Sequence, residues 1–284
     1  MDLPIVDTHV HLWDTHLLRY PWLDDVPSLN RPFLPADYRI GCGPVEVEKV
    51  VLVQAQVESA QFMKEAEWVS LLAREQCIRI AGLVPWAPLE EGERARPALE
   101  VLAGDPLVKG IRRIIQNEPD PEFCLRPDFV RGVQALSDYG LHFELCIDQP
   151  QMAAAIRLVE KCPTVRFILD HIGKPHIAER ALQPWSGELR VLAGFPNVWC
   201  KMSGLVTEAD HAHWTRDDLR PYIEHVLECF GFERVMFGSD WPVVTLAATY
   251  PAWVETLEWA LSGCAQEDVS RLFRENAIGF YRLE

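Results

Sequence analysis

Ile5-Val6-Asp7-Thr8-His9-Val10-His11-Leu12-Trp13 opens the sequence with an apolar, β-rich run that closes on two histidines one residue apart. In an extended strand successive side chains point to opposite faces, which predicts Asp7, His9 and His11 on one face. Neighbours on that face stand roughly 6.5–7 Å apart, so long side chains there can converge on one ion or one substrate oxygen just past the strand end. A lone histidine reads most simply as a satisfied core residue. A His-x-His pair at a strand end asks what the other strands bring to the same place.

Outward from this strand the chain keeps one beat. Residues 13–46 are rich in Pro, Trp, Asp and Arg without sustained periodicity and read as a long loop, of a length more typical of a pocket wall or lid than of an idle connection. Strands are then predicted at Val50–Gln56, Ile78–Trp86, Val108–Gln116, His142–Ile147, Val165–His171, Val198–Gly204 and Arg234–Asp240. Helices are predicted near 59–76, 93–103, 127–139, 149–161, 175–194, 219–230, 251–262 and 267–281. Eight apolar strands, each followed by a helical segment, predict an α/β fold closed as a (β/α)8 TIM-type barrel, one domain over 1–284. The competing open, doubly wound sheet would announce a glycine-rich phosphate turn, and no G-x-G-x-x-G or G-x-x-x-x-G-K-[ST] occurs.

Composition narrows the partners. The 284 residues carry a formal net charge of −15, which argues against an extended phosphate-binding surface and hence against nucleic acid. No apolar run approaches the roughly 18–20 residues of a membrane helix, and no signal peptide is expected where the N-terminus enters a strand at once. The eight cysteines are scattered singly with no C-x-x-C pair, which excludes a zinc ribbon and fits a reduced, cytoplasmic setting. Oligomeric state is not legible; a small-molecule substrate is the expected partner.

Barrels of this type do their chemistry at the carboxyl ends of the strands. Read off in order, those ends supply His9 and His11, Gln54 and Gln56, Trp86, Arg112 beside Arg113, Glu144, His171, Lys201 and Ser203, and Asp240. Charged groups ending apolar strands need partners or a task, because burying them alone is costly. Asp240 is the foremost candidate for function; capping of the next segment is the plainer reading. Glu144 and Lys201 can pair with each other or with Arg112, Arg113 is expected against the outer helices, and His142 toward the opposite end of its strand. Trp13, Trp22, Trp86 and Trp241 near one rim suggest apolar walls for a small ring-shaped ligand.

The stretches DTHVHLW, YPWL, VKGIRRIIQ, LHFELC, LDHIGKP, KMSGL and FGSDWP, in this order, resemble the amidohydrolase superfamily. More closely they resemble its amidohydrolase 2 branch, which holds sugar-acid lactonases and 2-pyrone-4,6-dicarboxylate lactonase. The resemblance implies that His9, His11 and Asp240, with His171 near, can hold one divalent ion such as zinc, not strictly required for the chemistry. Two-metal members carry a lysine ending strand four and a histidine ending strand five; Arg112 and Glu144 stand there instead, so a two-metal site is not expected.

The activity implied is hydrolysis of a small sugar-acid lactone by direct attack of water. Asp240 is expected as general base, with His9, His11 and His171 polarising the carbonyl directly or through one metal ion. Arg112, Gln54, Glu144, Trp22, Trp86, Lys201, Ser203 and Trp241 are expected to bind substrate. With no G-x-S-x-G, an acyl-enzyme is not expected. The alternatives are a zinc-dependent decarboxylase or amide hydrolase of the same superfamily, or a non-catalytic sugar-acid binding protein.

Overall fold

Every apolar run of the sequence becomes a parallel strand in the computed structural model, which describes residues 3–75 and 77–284. The strands are β1 (Ile5–Val10), β2 (Val47–Val53), β3 (Ile80–Val84), β4 (Gly110–Ile111), β5 (His142–Leu145), β6 (Phe167–Leu169), β7 (Val198–Met202) and β8 (Val235–Phe237). Pairing runs in chain order within two sheets, β1-β2-β3 and β4-β5-β6-β7-β8. Backbone hydrogen bonds join the sheets at both seams: Leu83 N donates to Leu107 O (2.8 Å) and Lys109 N to Leu83 O (2.9 Å), while Asp240 N donates to His9 O (2.8 Å) and His11 N to Trp241 O (2.7 Å). The result is the TIM-type α/β arrangement that alternation of strands and helices predicts.

Period-two alternation explains the two apolar cores. On β2, Val51 and Val53 face an inner cluster while Val50 and Leu52 face an outer one; on β6, Ile168 faces in and Phe167 and Leu169 face out; on β8, Met236 faces in and Val235 and Phe237 out. Phe280 and Tyr281, from the helix Asn276–Tyr281, close the inner cluster at one end. The outer cluster packs under helix residues such as Leu99, Phe129, Leu158, Leu189, Ile223 and Leu257. Each such side chain, fully buried, contributes roughly 1.5–3 kcal/mol of transfer free energy.

Several expected bounds change: the strand expected over 165–171 is Phe167–Leu169 and the helix expected over 175–194 is Trp185–Ala193. The extended strand four is only Gly110–Ile111; beyond it Arg112 N turns to Pro85 O (3.0 Å) and Ile115 N to Cys146 O (2.9 Å), because the chain is bending into the strand-end rim. The 13–46 segment is less irregular than its sequence. Trp13 and Phe33 exchange backbone hydrogen bonds, Pro21–Asp25 forms a 3-10 turn, and Pro35–Gly41 is a helix started by Pro35 and by Asp37, which accepts from Leu34 N (2.9 Å). Both pieces are too short to show a helical period. The helix expected over 59–76 spans Phe62–Glu75, and Gln76 lies outside the described residues, as do residues 1 and 2. Among the described residues no helix is long and apolar enough to cross a membrane.

Candidate active site

The face prediction for β1 holds for the histidines and fails for Asp7. Pairing with β2 slips between Asp7 and Val10, and such a slip changes which side chains face in. Val6 faces the inner cluster, whereas Asp7 turns to the helical side, where Oδ2 accepts from Tyr38 Oη (2.9 Å) and Oδ1 from the backbone N–H of Ser239 (2.9 Å) and His9 (3.2 Å). Asp7 therefore ties β1 to the loop that carries Asp240. Gly238 makes the approach possible, since a Cβ there would stand 2.8 Å from His9 Cβ.

Asp240 is buried in left-handed backbone (φ 60°), a conformation that a non-glycine residue holds only when its surroundings impose it. Its Oδ1 lies 3.3 Å from His11 Nε2, 3.7 Å from His9 Nε2 and 3.9 Å from His171 Nε2. Burial opposes its ionisation, but the surrounding imidazoles, His171 foremost, outweigh burial and hold the carboxyl well below the usual carboxylate range. Burial likewise pushes His171 down to about 4, against the pull of Asp240 and Asp170. Near neutral pH Asp240 is an ionised carboxylate, and burial drives His9 and His171 toward their neutral forms.

The tautomers follow from the partners. His11 Nδ1 faces the carbonyl of Val53 at 2.8 Å and must donate to it, which turns Nε2 toward Asp240. His11 Nε2 and Asp240 Oδ1 stand 3.3 Å apart, a spacing that a proton on Nε2 or a cation bound by both atoms satisfies. Ligand atoms of His9, His11 and Asp240 lie within 4.8 Å of one another, and this nitrogen and carboxylate set fits a divalent ion with room for water. A second group, His9, Asp170 and His171, is also close enough, but Lys201 Nζ and Arg112 Nη1 each stand 3.2 Å from Asp170 and already supply the positive charge.

Beneath the histidines runs a fully buried charge network. Lys201 Nζ donates to Glu144 Oε2 (2.7 Å) and lies 3.2 Å from His9 Nδ1; Tyr281 Oη donates to Glu144 Oε1 (2.8 Å). Arg112 Nη2 donates to Gln54 O (2.6 Å), and Nη1 lies 3.1 Å from His9 Nε2. Burial, Lys201, His171 and Arg112 all drive His9 toward the neutral form. For Asp170 and Glu144, Lys201 overcomes burial and keeps both carboxylates ionised. Ser203 Oγ meets His171 Nδ1 at 2.9 Å and so sets the ring that faces Asp240.

The remaining sequence candidates divide between half-buried side chains and ones packed away from Asp240. Gln54 is buried, and its Nε2 has no hydrogen-bond partner among the described residues. Trp22, half-buried, donates to Ala55 O (2.8 Å), and half-buried Trp86 stacks edgewise on Phe62 (4.9 Å). Trp241 and Trp13 are wholly buried; Trp241 packs between Phe33 and Tyr38. Arg113 turns away to Glu90 and Glu118, and His142 lies under Glu144 against Phe280 and Tyr281. Asp170, absent from the strand-end candidates, is the first residue past β6, and its signal is its place beside His171.

The Amidohydrolase family model matches residues 6–283. This chain belongs to the amidohydrolase 2 family. It is 33% identical over 290 residues to an L-fucono-1,5-lactonase of Burkholderia multivorans, covering 98% of this chain and 96% of that protein. With an L-rhamnono-gamma-lactonase of Scheffersomyces stipitis it shares 26% identity, covering 72% of this chain and 69% of the other. A crystal structure of an amidohydrolase from Burkholderia multivorans with bound zinc superposes with a TM-score of 0.88 at 31% identity, covering 99% of this chain and 100% of that one. Within this amidohydrolase, all four histidine and aspartate candidates, His9, His11, His171 and Asp240, meet at one place, with Arg112, Lys201, Glu144 and Ser203 in contact with them or one side chain behind.

Proposed function

We propose that this amidohydrolase opens the ring ester of a small, polyhydroxylated sugar-acid lactone by direct addition of water. The observation that carries the proposal is the ionised Asp240 with three imidazole Nε2 atoms 3.3–3.9 Å from one of its oxygens. A carboxylate so placed can take a proton from water as it attacks the carbonyl carbon, and can return that proton to the ring oxygen as the C–O bond breaks. The product is the open hydroxy acid. The names of the lactonase relatives support the substrate class.

His9, His11 and Asp240 would hold a divalent ion, zinc for instance, which supplies Lewis acidity toward the carbonyl and the water when bound. His171, held by Ser203, faces the same Asp240 oxygen as His9 and His11 and steadies the carboxylate and the reacting oxygen. Arg112 and the Nε2 of Gln54 orient the ring. Glu144 and Lys201, being fully buried, serve substrate orientation through His9 and Asp170. Trp22 and Trp86 line the rim, and Trp241 backs the 13–46 segment.

The test is acid release from a panel of aldonolactones and pyrone dicarboxylate, with and without prior chelation. Turnover of sugar lactones is expected. Turnover of pyrone dicarboxylate alone would move the substrate class, and silence across the panel would favour a decarboxylase or amide hydrolase. Zinc content of the purified chain, measured directly, should fall when His11 is replaced by alanine. Trp22→Ala should raise KM for the lactone while leaving the unfolding midpoint unchanged; an unaltered KM would remove Trp22 from the pocket.

A further inference from the structure

The loops that leave β6 and β7 bring one more charged pair to this rim, and no candidate role above uses it. After β6 the backbone runs through four successive positive φ values, His171 (51°), Ile172 (52°), Gly173 (77°) and Lys174 (47°), and Lys174 N donates to His171 O (2.9 Å). Three of these residues are not glycine, so the turn is held against its own preference, as happens where a side chain must be aimed. After β7, Ser203 and Gly204 lead directly into the short helix Leu205–Glu208, and Glu208 O accepts from Ala178 N (3.0 Å), which ties the two loops together. The two backbones that set His171 and Ser203 thus also set Lys174 and Glu208.

Lys174 Nζ and Glu208 Oε1 are 3.5 Å apart, with the two side chains 18% and 25% exposed. That separation exceeds the 2.7–2.9 Å of a charge-assisted hydrogen bond. Among the described residues no other side chain pairs with either head group. The ammonium also lies within electrostatic reach of Asp240, Cys146 and Asp148. An ammonium only donates and a carboxylate only accepts, whereas a hydroxyl does both. Neighbouring hydroxyls on a ring satisfy such a pair together, one accepting from Lys174 and one donating to Glu208.

We propose that Lys174 and Glu208 form a clamp that reads adjacent hydroxyls of the lactone ring and so selects sugar lactones over plain ones. This rests on the lactonase reading. The experiment compares the parent, Lys174→Met, Glu208→Gln and the conservative Lys174→Arg on L-fucono-1,5-lactone and on unsubstituted δ-valerolactone. Calorimetric binding of the matching sugar lactam and of δ-valerolactam gives a readout independent of turnover. The expected result is a loss of roughly tenfold or more in kcat/KM and in lactam affinity for the hydroxylated probes, carried mainly by KM. The plain probes should change less than about twofold, and Lys174→Arg should recover part of the loss. Equal losses on both probe types, or no loss on either, overturn the clamp while leaving the lactonase reading in place. A parent that neither turns over nor binds any hydroxylated probe overturns both.

Discussion

Lys201 lies wholly out of contact with solvent, paired with Glu144 at 2.7 Å and close to Asp170 at 3.2 Å. Together with Arg112 these side chains set two basic groups against two acidic ones in the interior. Removing one member leaves the rest uncompensated, which typically costs about 3–5 kcal/mol. Lys201→Met should lower stability by that order in urea unfolding, and a loss under about 1 kcal/mol would show that Glu144 and Asp170 do not depend on it. Glu65 is another buried acid. Its Oε1 accepts from Ala55 N (3.0 Å), and burial pushes its carboxyl up from 4.5 to about 7. The folded state therefore holds this proton more tightly than the unfolded chain, and its contribution is full below about 4.5 and lost as pH rises through about 7. Relative to Glu65→Gln, the parent should lose on the order of 2–3 kcal/mol between pH 5 and pH 8, and parallel stability curves would contradict the shift.

At the scale of elements, the site depends on strand ends brought closer than ordinary side chains allow. A Cβ on Gly238 would meet His9 Cβ at 2.8 Å and Ser203 Cβ at 3.1 Å, whereas one on Gly279 meets nothing within 4 Å. Gly238→Ala should therefore cost about 1–3 kcal/mol and at least roughly tenfold in kcat/KM, while Gly279→Ala leaves both unchanged or slightly stabilised. Equal behaviour of the two alanine variants would mean that β1 and β8 are not held at contact. The alternation of strands and helices was legible because each apolar run repeats the β-branched pattern. What it hid were departures from period two: the slip that turns Asp7 outward, the left-handed turn through His171, and a β4 of two residues. These are set by contacts between strands, such as Asp7 with Ser239 N at 2.9 Å, which a single strand's pattern does not contain. Asp170 escaped for a related reason, since its importance comes from Arg112 and Lys201 on other strands.

Over the whole molecule, the inner end of the barrel is apolar and sealed by Phe280 and Tyr281, its middle is a neutralised charge network, and its rim carries the imidazoles and Asp240. This layering explains why one chain end matters to a site at the other: Tyr281 donates to Glu144, Glu144 holds Lys201, and Lys201 stands against His9. It also explains how buried carboxylates persist at the site, since Glu144, Asp170 and Asp240 each have a cation or imidazole beside them. The central claim is that Asp240 moves the proton in lactone hydrolysis. The most direct measurement is kcat/KM on L-fucono-1,5-lactone for the parent and for Asp240→Asn, whose shape is preserved, alongside their unfolding midpoints. The account predicts a loss of about 10²–10⁴-fold with the fold intact. An Asp240→Asn protein that opens the lactone as fast as the parent would contradict it.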